Sequence, residues 1–235
     1  LLYRLVISSQ QQEADRILLD SQQQHYLRRV LRLTDGDRFL AMDGIGKTWI
    51  AEIVGETARC LELLEVATEL PFDVSLITAL PKGNGYEQIL RCCTELGVTR
   101  FLPTISSRTM IKPSNNKVER WRKIVIESAE QAERQIVPQV IAPVSFTETI
   151  QNLTPVASSR YICVARGDFP SLWSCLQNSS LQHLIIATGT EGGWTAPEVE
   201  QAIAAKFQPV SLGKRILRAV TAPITALSLV TAIHQ

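Results

Sequence analysis

Val74-Ser-Leu-Ile-Thr-Ala-Leu80, followed by Pro81-Lys-Gly-Asn-Gly85, is the stretch on which the fold turns. A run with no charge and few polar side chains suits a strand covered on both faces, whereas a half-solvated strand would alternate apolar and polar residues. Glycines interrupt the run and a helix follows. Tyr86, Ile89, Leu90, Cys93 and Leu96 give it a buried stripe and Gly97 ends it. Asn84 is placed to cap this helix, with Glu87 three residues later as in a capping box.

The alternation continues downstream. Phe101 to Ile105 reads as a strand, and Val118, Trp121, Val125, Ala129 and Ala132 mark a helix running to Gln135. Further strands are expected at Tyr161 to Ala165, Leu184 to Thr188 and Pro209 to Leu212. Strands alternating with helices predict an α/β domain with a mostly parallel sheet. Upstream the pattern differs. Short strands at Arg4 to Ile7, Arg16 to Leu19, Phe39 to Met42, Thr48 to Val54 and Arg59 to Val66 are separated by glycine turns, which suggests a small β-barrel. A short helix from Gln22 to Leu31 would turn Tyr26, Leu27, Val30 and Leu31 inward and leave Arg28, Arg29 and Arg32 toward solvent. The break at Thr68-Glu-Leu-Pro-Phe-Asp73 predicts two domains, residues 1–70 and 71–235.

Composition narrows the function classes. With 45% hydrophobic and 20% charged residues in a chain of 235, the balance is that of a globular protein and excludes a disordered one. The net charge is +1, so no global field draws the chain to nucleic acid or membrane. Charge is local: seven basic residues and one acid, Glu119, lie between Arg100 and Lys123. Five cysteines without a C-x-x-C pair and three scattered histidines argue against a metal site. No leader-like apolar segment follows the start, and the apolar run from Ala219 to Ile233 is short for a membrane span. The reading is a reduced, cytoplasmic protein with a buried final helix, either central to the monomer or covered by a partner subunit.

Two glycine loops follow predicted strands: Thr188-Gly-Thr-Glu-Gly-Gly-Trp194 and Ser211-Leu-Gly-Lys-Arg-Ile-Leu-Arg218. Ligands of open α/β sheets bind at the carboxyl ends of strands, where glycine admits close backbone approach. Thr195 as N-cap, Glu198 at N3 and Pro197 in the first turn mark the helix after the first loop. Neither loop is a dinucleotide fingerprint or a phosphate loop, so an NAD-type oxidoreductase is not indicated. Glu127, Gln131 and Arg134 would share one polar helix face.

With these segments in hand, the chain resembles the bacterial 16S ribosomal RNA uridine-N3 methyltransferases of the SPOUT class. The resemblance rests on the order and spacing of His25-Tyr-Leu-Arg-Arg-Val-Leu-Arg32 with Gly36-Asp37, Pro81-Lys-Gly83, Thr94-Glu-Leu-Gly-Val98, Arg120-Trp121, Glu127, Glu130-Gln131, Arg134, Gly189-Thr-Glu-Gly-Gly193 and Leu212 to Arg218. It implies an N-terminal PUA-like RNA-binding β-barrel and a parallel-sheet SPOUT domain whose last segments form a trefoil knot. It implies also a homodimer, S-adenosylmethionine as cofactor and 16S ribosomal RNA of the small subunit as partner, without metal or membrane. On that resemblance, Ala187, Gly189, Glu191, Gly192, Gly193, Leu212, Gly213, Ile216 and Leu217 would bind the cofactor. Arg218 and Glu191 would be catalytic, and Arg4, Arg28, Arg29, Arg32, Arg108 and Arg134 would contact RNA. Thr190 stands where the family usually has proline, and Val220 where it usually has glutamate. Two alternatives stay open: another RNA nucleotide as acceptor, or, if Val220 abolishes the chemistry, a ribosome-assembly factor that binds RNA without methylating it.

Overall fold

The computed structural model describes residues 2–153, 158–177 and 181–234. Contacts within the chain separate two compact units, residues 1–69 with 129–137 and residues 70–128 with 138–235. Each has its own sheet.

In the first unit, β1 (Arg4–Val6), β2 (Gln12–Glu13), β3 (Arg16–Leu18), β4 (Arg38–Met42), β5 (Thr48–Val54) and β6 (Thr57–Leu64) pair in the order β1-β4-β5-β6-β3-β2. All neighbours are antiparallel except β1 and β4. A register slip between Ile50 and Ala51 interrupts the β5–β6 ladder; such irregularities increase local twist and help a sheet to curl. Ile17, Phe39, Ala41, Ala51, Ile53 and Ala58 alternate inward and close over Leu5 and Leu27.

The helix α1 (Ser21–His25) starts where Asp20 accepts the Gln23 N–H at 2.8 Å. It then widens into a π turn over Tyr26–Val30, in which Leu31 N–H donates to Tyr26 O at 2.9 Å. That wider turn replaces Val30 by Leu31 beneath Tyr26. Leu31 packs on the core, whereas Val30 is 58% exposed, against the inward position that regular spacing predicts.

The second unit contains β7 (Asp73–Ala79), β8 (Arg100–Ile105), β9 (Gln139–Val140), β10 (Val144–Ser145), β11 (Ser159–Cys163), β12 (His183–Thr188) and β13 (Gln208–Val210). Its order is β10-β8-β7-β12-β11-β13, with β9 also on β8, and every pairing is parallel. The helices are α2 (Gly85–Glu95), α3 (Asn115–Gln131), α4 (Phe146–Gln151), α5 (Leu172–Gln177), α6 (Ala196–Ala204) and α7 (Thr221–His234). One sheet face presents Ile77, Ala79, Leu102, Ile162, Ile185 and Ala187 to Phe146 of α4 and Ala202 of α6. Against β12 lies α7, which also packs on α2 and α5.

Local signals are met unevenly. Gly97, at φ 91°, closes α2 by a Schellman arrangement in which Val98 N–H donates to Cys93 O and Gly97 N–H to Thr94 O, both at 3.1 Å. At the other end, Asn84 makes no side-chain cap, and the Glu87 carboxylate binds Arg120 at 2.9 Å instead of closing a capping box. The last helix starts at Thr221, beyond the second glycine loop. It buries Pro223, Ala226, Leu227 and Val230 but leaves Ile224, Leu229 and Ile233 only half-buried. No helix among the described residues is long and apolar enough to cross a membrane.

The helix α3 ends at Gln131, short of the expected Gln135. Glu133 takes a left-handed φ of 60°, so the chain turns and Arg134 leaves the helical face of Glu127 and Gln131. The Arg134 guanidinium, 3% exposed, donates to Glu69 at 2.6 Å. Glu69 Oε1 also accepts the backbone N–H groups of Gln135 and Ile136, at 2.9 and 3.1 Å. Removing one partner of a buried pair strands the other charge, at a cost of about 3–5 kcal/mol. We therefore expect Glu69→Ala to lose about that much stability in urea denaturation, and Glu52→Ala, whose arginine partners are more than half exposed, to lose less than about 1 kcal/mol.

Candidate active site

Parallel strands release their chains at one edge, so the segments leaving β7, β11, β12 and β13 rise side by side at the carboxyl end of the second unit's sheet. The segment after β12 is a tight turn in which Gly193 N–H donates to Thr190 O at 2.9 Å. Gly189 is favoured there, because a Cβ on it would stand 3.0 Å from Gly193 C and 3.2 Å from Trp194 N and would press on the turn's backbone. The turn leads into α6, whose capping box is formed as the sequence predicts, with Thr195 and Glu198 exchanging side-chain and backbone bonds.

Three ties fasten this turn and the start of α6 to the loops after β7 and β8. Glu191 Oε1 accepts Lys82 N–H at 3.0 Å. The Arg108 guanidinium donates to Gly192 O, and Glu198 Oε1 accepts Ser107 N–H at 2.7 Å. Burial pushes the Glu198 carboxyl up, but the hydrogen bonds from Thr195 and Ser107 outweigh it and hold the group below its ordinary value.

On the opposite side of the turn lies a cleft that opens to solvent. Its walls are Cys163, Val164 and Ala165 leaving β11, Gly189, Thr190, Gly193 and Trp194 after β12, and Leu212, Gly213, Arg215, Leu217, Ala219 and Ala222 between β13 and α7. Burial pushes the Cys163 thiol up to about 12, so it is a neutral part of the wall. The Thr190 hydroxyl and the Trp194 indole N–H are buried without a hydrogen-bond partner among the described residues.

Of the residues expected at a cofactor site, Gly189, Gly193, Leu212, Gly213 and Leu217 line this cleft. Ala187 sits one step earlier on β12, its methyl in the apolar cluster under α4 and α6. Glu191 and Gly192 are held by Lys82 and Arg108 on the tied side, and Ile216 is 60% exposed. Arg218 is exposed just before α7. Val220 packs on the first residue of α2: a Cβ on Gly85 would lie 2.9 Å from Val220 Cγ2. Sequence reasoning missed Cys163 to Ala165, Thr190, Trp194, Arg215, Ala219 and Ala222. The end of a predicted strand was the available signal for the first three.

The arginines of the first unit differ in availability. Arg4 pairs with Glu133 at 2.7 Å, and Arg28 binds Asp35 and Gly55 O. Arg29 and Arg32 are exposed. Arg134, expected among the RNA contacts, is buried in an ion pair with Glu69. No group of three His, Cys, Asp or Glu residues among the described ones could hold a metal ion.

Comparison with known proteins gives this geometry a family. An RNA methyltransferase domain matches residues 68–231 and an RNA methyltransferase PUA domain residues 19–63. The ribosomal RNA small subunit methyltransferase E of Synechocystis sp. is 48% identical, over 99% of this chain and 78% of that protein. That of Bacillus subtilis is 32% identical, over 97% and 95%. The chain belongs to the ribosomal RNA small subunit methyltransferase E family. A crystal structure of the Neisseria gonorrhoeae member, described as bound to S-adenosyl methionine, superposes with a TM-score of 0.88 at 28% identity, covering 99% of this chain and 98% of that one. The α/β class expected from the strand–helix alternation and the PUA-like N-terminal domain expected from the resemblance are both borne out.

Glu198 makes the site's mooring pH-dependent. Because its folded pKa lies below the ordinary 4.5, its contribution is complete above that value and is lost as pH falls through the lowered one. We expect Glu198→Gln to cost roughly 1 kcal/mol at pH 7 and to lose less further stability than the parent between pH 5 and about 3, read from thermal melts across that range.

Proposed function

We propose that this chain transfers the methyl group of S-adenosylmethionine to N3 of a specific uridine in 16S ribosomal RNA, within the small subunit and in the cytoplasm. The observation that carries the reading is the cleft between the two glycine loops. Gly193 and Gly213 both line it with left-handed φ, 71° and 116°, and a Cβ built on either meets nothing within 4 Å. A ligand can therefore approach bare backbone there, and the walls, largely aliphatic and indole, suit an adenosine-bearing ligand. Gly189, Gly193, Leu212, Gly213 and Leu217 would hold it, with Ala187, Glu191, Gly192 and Ile216 supporting the loops. When bound, S-adenosylmethionine supplies an electrophilic sulfonium methyl.

The chain's task is then to make the uracil nitrogen a nucleophile. N3 must lose its proton, and negative charge spreads over the ring. Arg218, beside the cleft-lining Leu217 and Ala219, is assigned the stabilisation of that charge. Glu191, oriented by Lys82 N–H, is assigned the proton or the positioning of the base. N3 lies on the pairing edge, so the target must be unpaired. Residues 1–70 would act as the RNA-binding domain and 71–235 as the methyltransferase domain, its last segments forming the trefoil knot. Arg29 and Arg32 offer free charge to phosphates, with Arg4, Arg28 and Arg108 contributing from partly committed positions; Arg134 is not part of this surface. A homodimer would complete the burial of Ile224, Leu229 and Ile233 on α7.

The test is methyl transfer from labelled S-adenosylmethionine to small subunits from cells lacking this protein, followed by nucleoside analysis. Label in N3-methyluridine is the expected outcome, and Arg218→Ala should lower turnover at least tenfold, about the loss of a weak electrostatic contact, while cofactor affinity by calorimetry stays within about twofold. Label in another nucleoside would replace the acceptor. RNA binding without label, which Val220 in place of a carboxylate would explain, would favour the assembly-factor reading.

A further inference from the structure

Within the turn after β12, the polar side chains divide sharply. Glu191 is engaged by Lys82, Thr195 by Glu198, and Glu198 by both Thr195 and Ser107. Thr190 and Trp194 are not: Thr190 is 6% exposed and Trp194 9%, and neither the hydroxyl nor the indole N–H has a partner among the described residues. Both residues line the same cleft. Buried hydroxyl and indole groups nearly always find a hydrogen bond, and two unmet ones in five consecutive residues call for a common partner. Rotation about the Thr190 Cα–Cβ bond moves the hydroxyl between staggered positions without disturbing the turn, and so can present it to a molecule in the cleft.

We propose that the Thr190 hydroxyl is a hydrogen-bonding contact of this chain to its bound methyl donor, an affinity-setting group supplied by a side chain in a site lined mostly by glycine backbone and apolar groups. The proposal rests on the reading of the cleft as the S-adenosylmethionine site. Valine matches threonine in shape and lacks only the hydroxyl, which makes Thr190→Val the informative variant. Its side chain should leave the turn intact, because the Thr190 contact that closes it is the backbone carbonyl accepting Gly193 N–H.

The experiment is calorimetric titration of the full chain with S-adenosylhomocysteine, the unreactive product, for the parent, Thr190→Val and Thr190→Ser, with thermal melts confirming that each is folded. Loss of one hydrogen bond predicts about three- to tenfold weaker binding by the valine variant and near-parental binding by the serine variant. A second readout uses the indole N–H of Trp194, assigned in nuclear magnetic resonance spectra through Trp194→Phe, which should shift on saturation. Equal affinity of parent and Thr190→Val would overturn the proposal. So would equal weakening by valine and serine, since serine keeps the hydroxyl and its loss of affinity would mark altered packing rather than the hydrogen bond. A parent that binds no S-adenosylhomocysteine would sink the donor-site reading itself.

Discussion

The second unit depends on one constraint: all its strands are parallel and both faces of its sheet are covered. Val74, Leu76, Ile77 and Ala79 on β7 and Leu184, Ile186 and Ala187 on β12 have no exposed surface, so the strands themselves offer little room for chemistry. Burying each of the valine, leucine and isoleucine side chains is worth about 1.5–3 kcal/mol, and a charge among them would carry a large desolvation penalty. Reactive groups are therefore displaced to the strand ends. Because parallel strands end at the same edge, the displacement concentrates them.

That edge is divided into a tied side and an open side. The turn after β12 is held by Lys82, Arg108 and Ser107 from the loops of β7 and β8, the neighbours on one flank. Its other flank faces the exits of β11 and β13 across the cleft. The wall from β13 is moored at its two ends, where Ser211 exchanges backbone bonds with Pro170 and Leu172 at 2.9 Å and Val220 packs against Gly85, while between them Ser211 Oγ accepts Gly213 N–H at 3.1 Å, a local bond. A rigid wall opposite one held only at its ends suits a ligand that must enter, be held and leave, since immobilising both walls in advance would trap it and ordering both on binding would weaken it.

How much of this was legible depended on whether the cause was local. Strands β5, β7, β8 and β12 and the Thr195–Glu198 capping box arise from residue patterns within a few positions, and they appear as expected. The departures have longer-range or subtler causes. A π turn at Tyr26–Val30 changes the period of a basic helix, and no single residue type announces it. The left-handed Glu133 ends α3, where a non-glycine residue gives no warning. Arg134 reads as a surface charge until Glu69, distant in sequence, is brought to it. The cleft residues Cys163 to Ala165 were missed because strand order, with β11 between β12 and β13, is a property of the whole sheet and not of any segment.

Val220 bears on the proposed chemistry in the same way, through its surroundings rather than its own type. Its side chain sits against Gly85, the first residue of α2, in the space a Cβ there would occupy. A carboxylate at that place would lie by a helix N-terminus, where unpaired N–H groups and the helix dipole favour the ionised form and make it a poorer proton acceptor. Replacing it by valine thus removes a weak base, and general base assistance, worth about a hundred- to ten-thousand-fold in favourable cases, would be smaller there. The proposed reaction then leans on charge stabilisation by Arg218, which lowers the energy of the uracil anion whichever group takes the proton. In that arrangement an exposed carboxylate such as Glu191, or water beside it, can serve as acceptor, and the apolar Val220–Gly85 contact keeps the start of α7, and with it Ala219 and Ala222 in the cleft wall, in a fixed place.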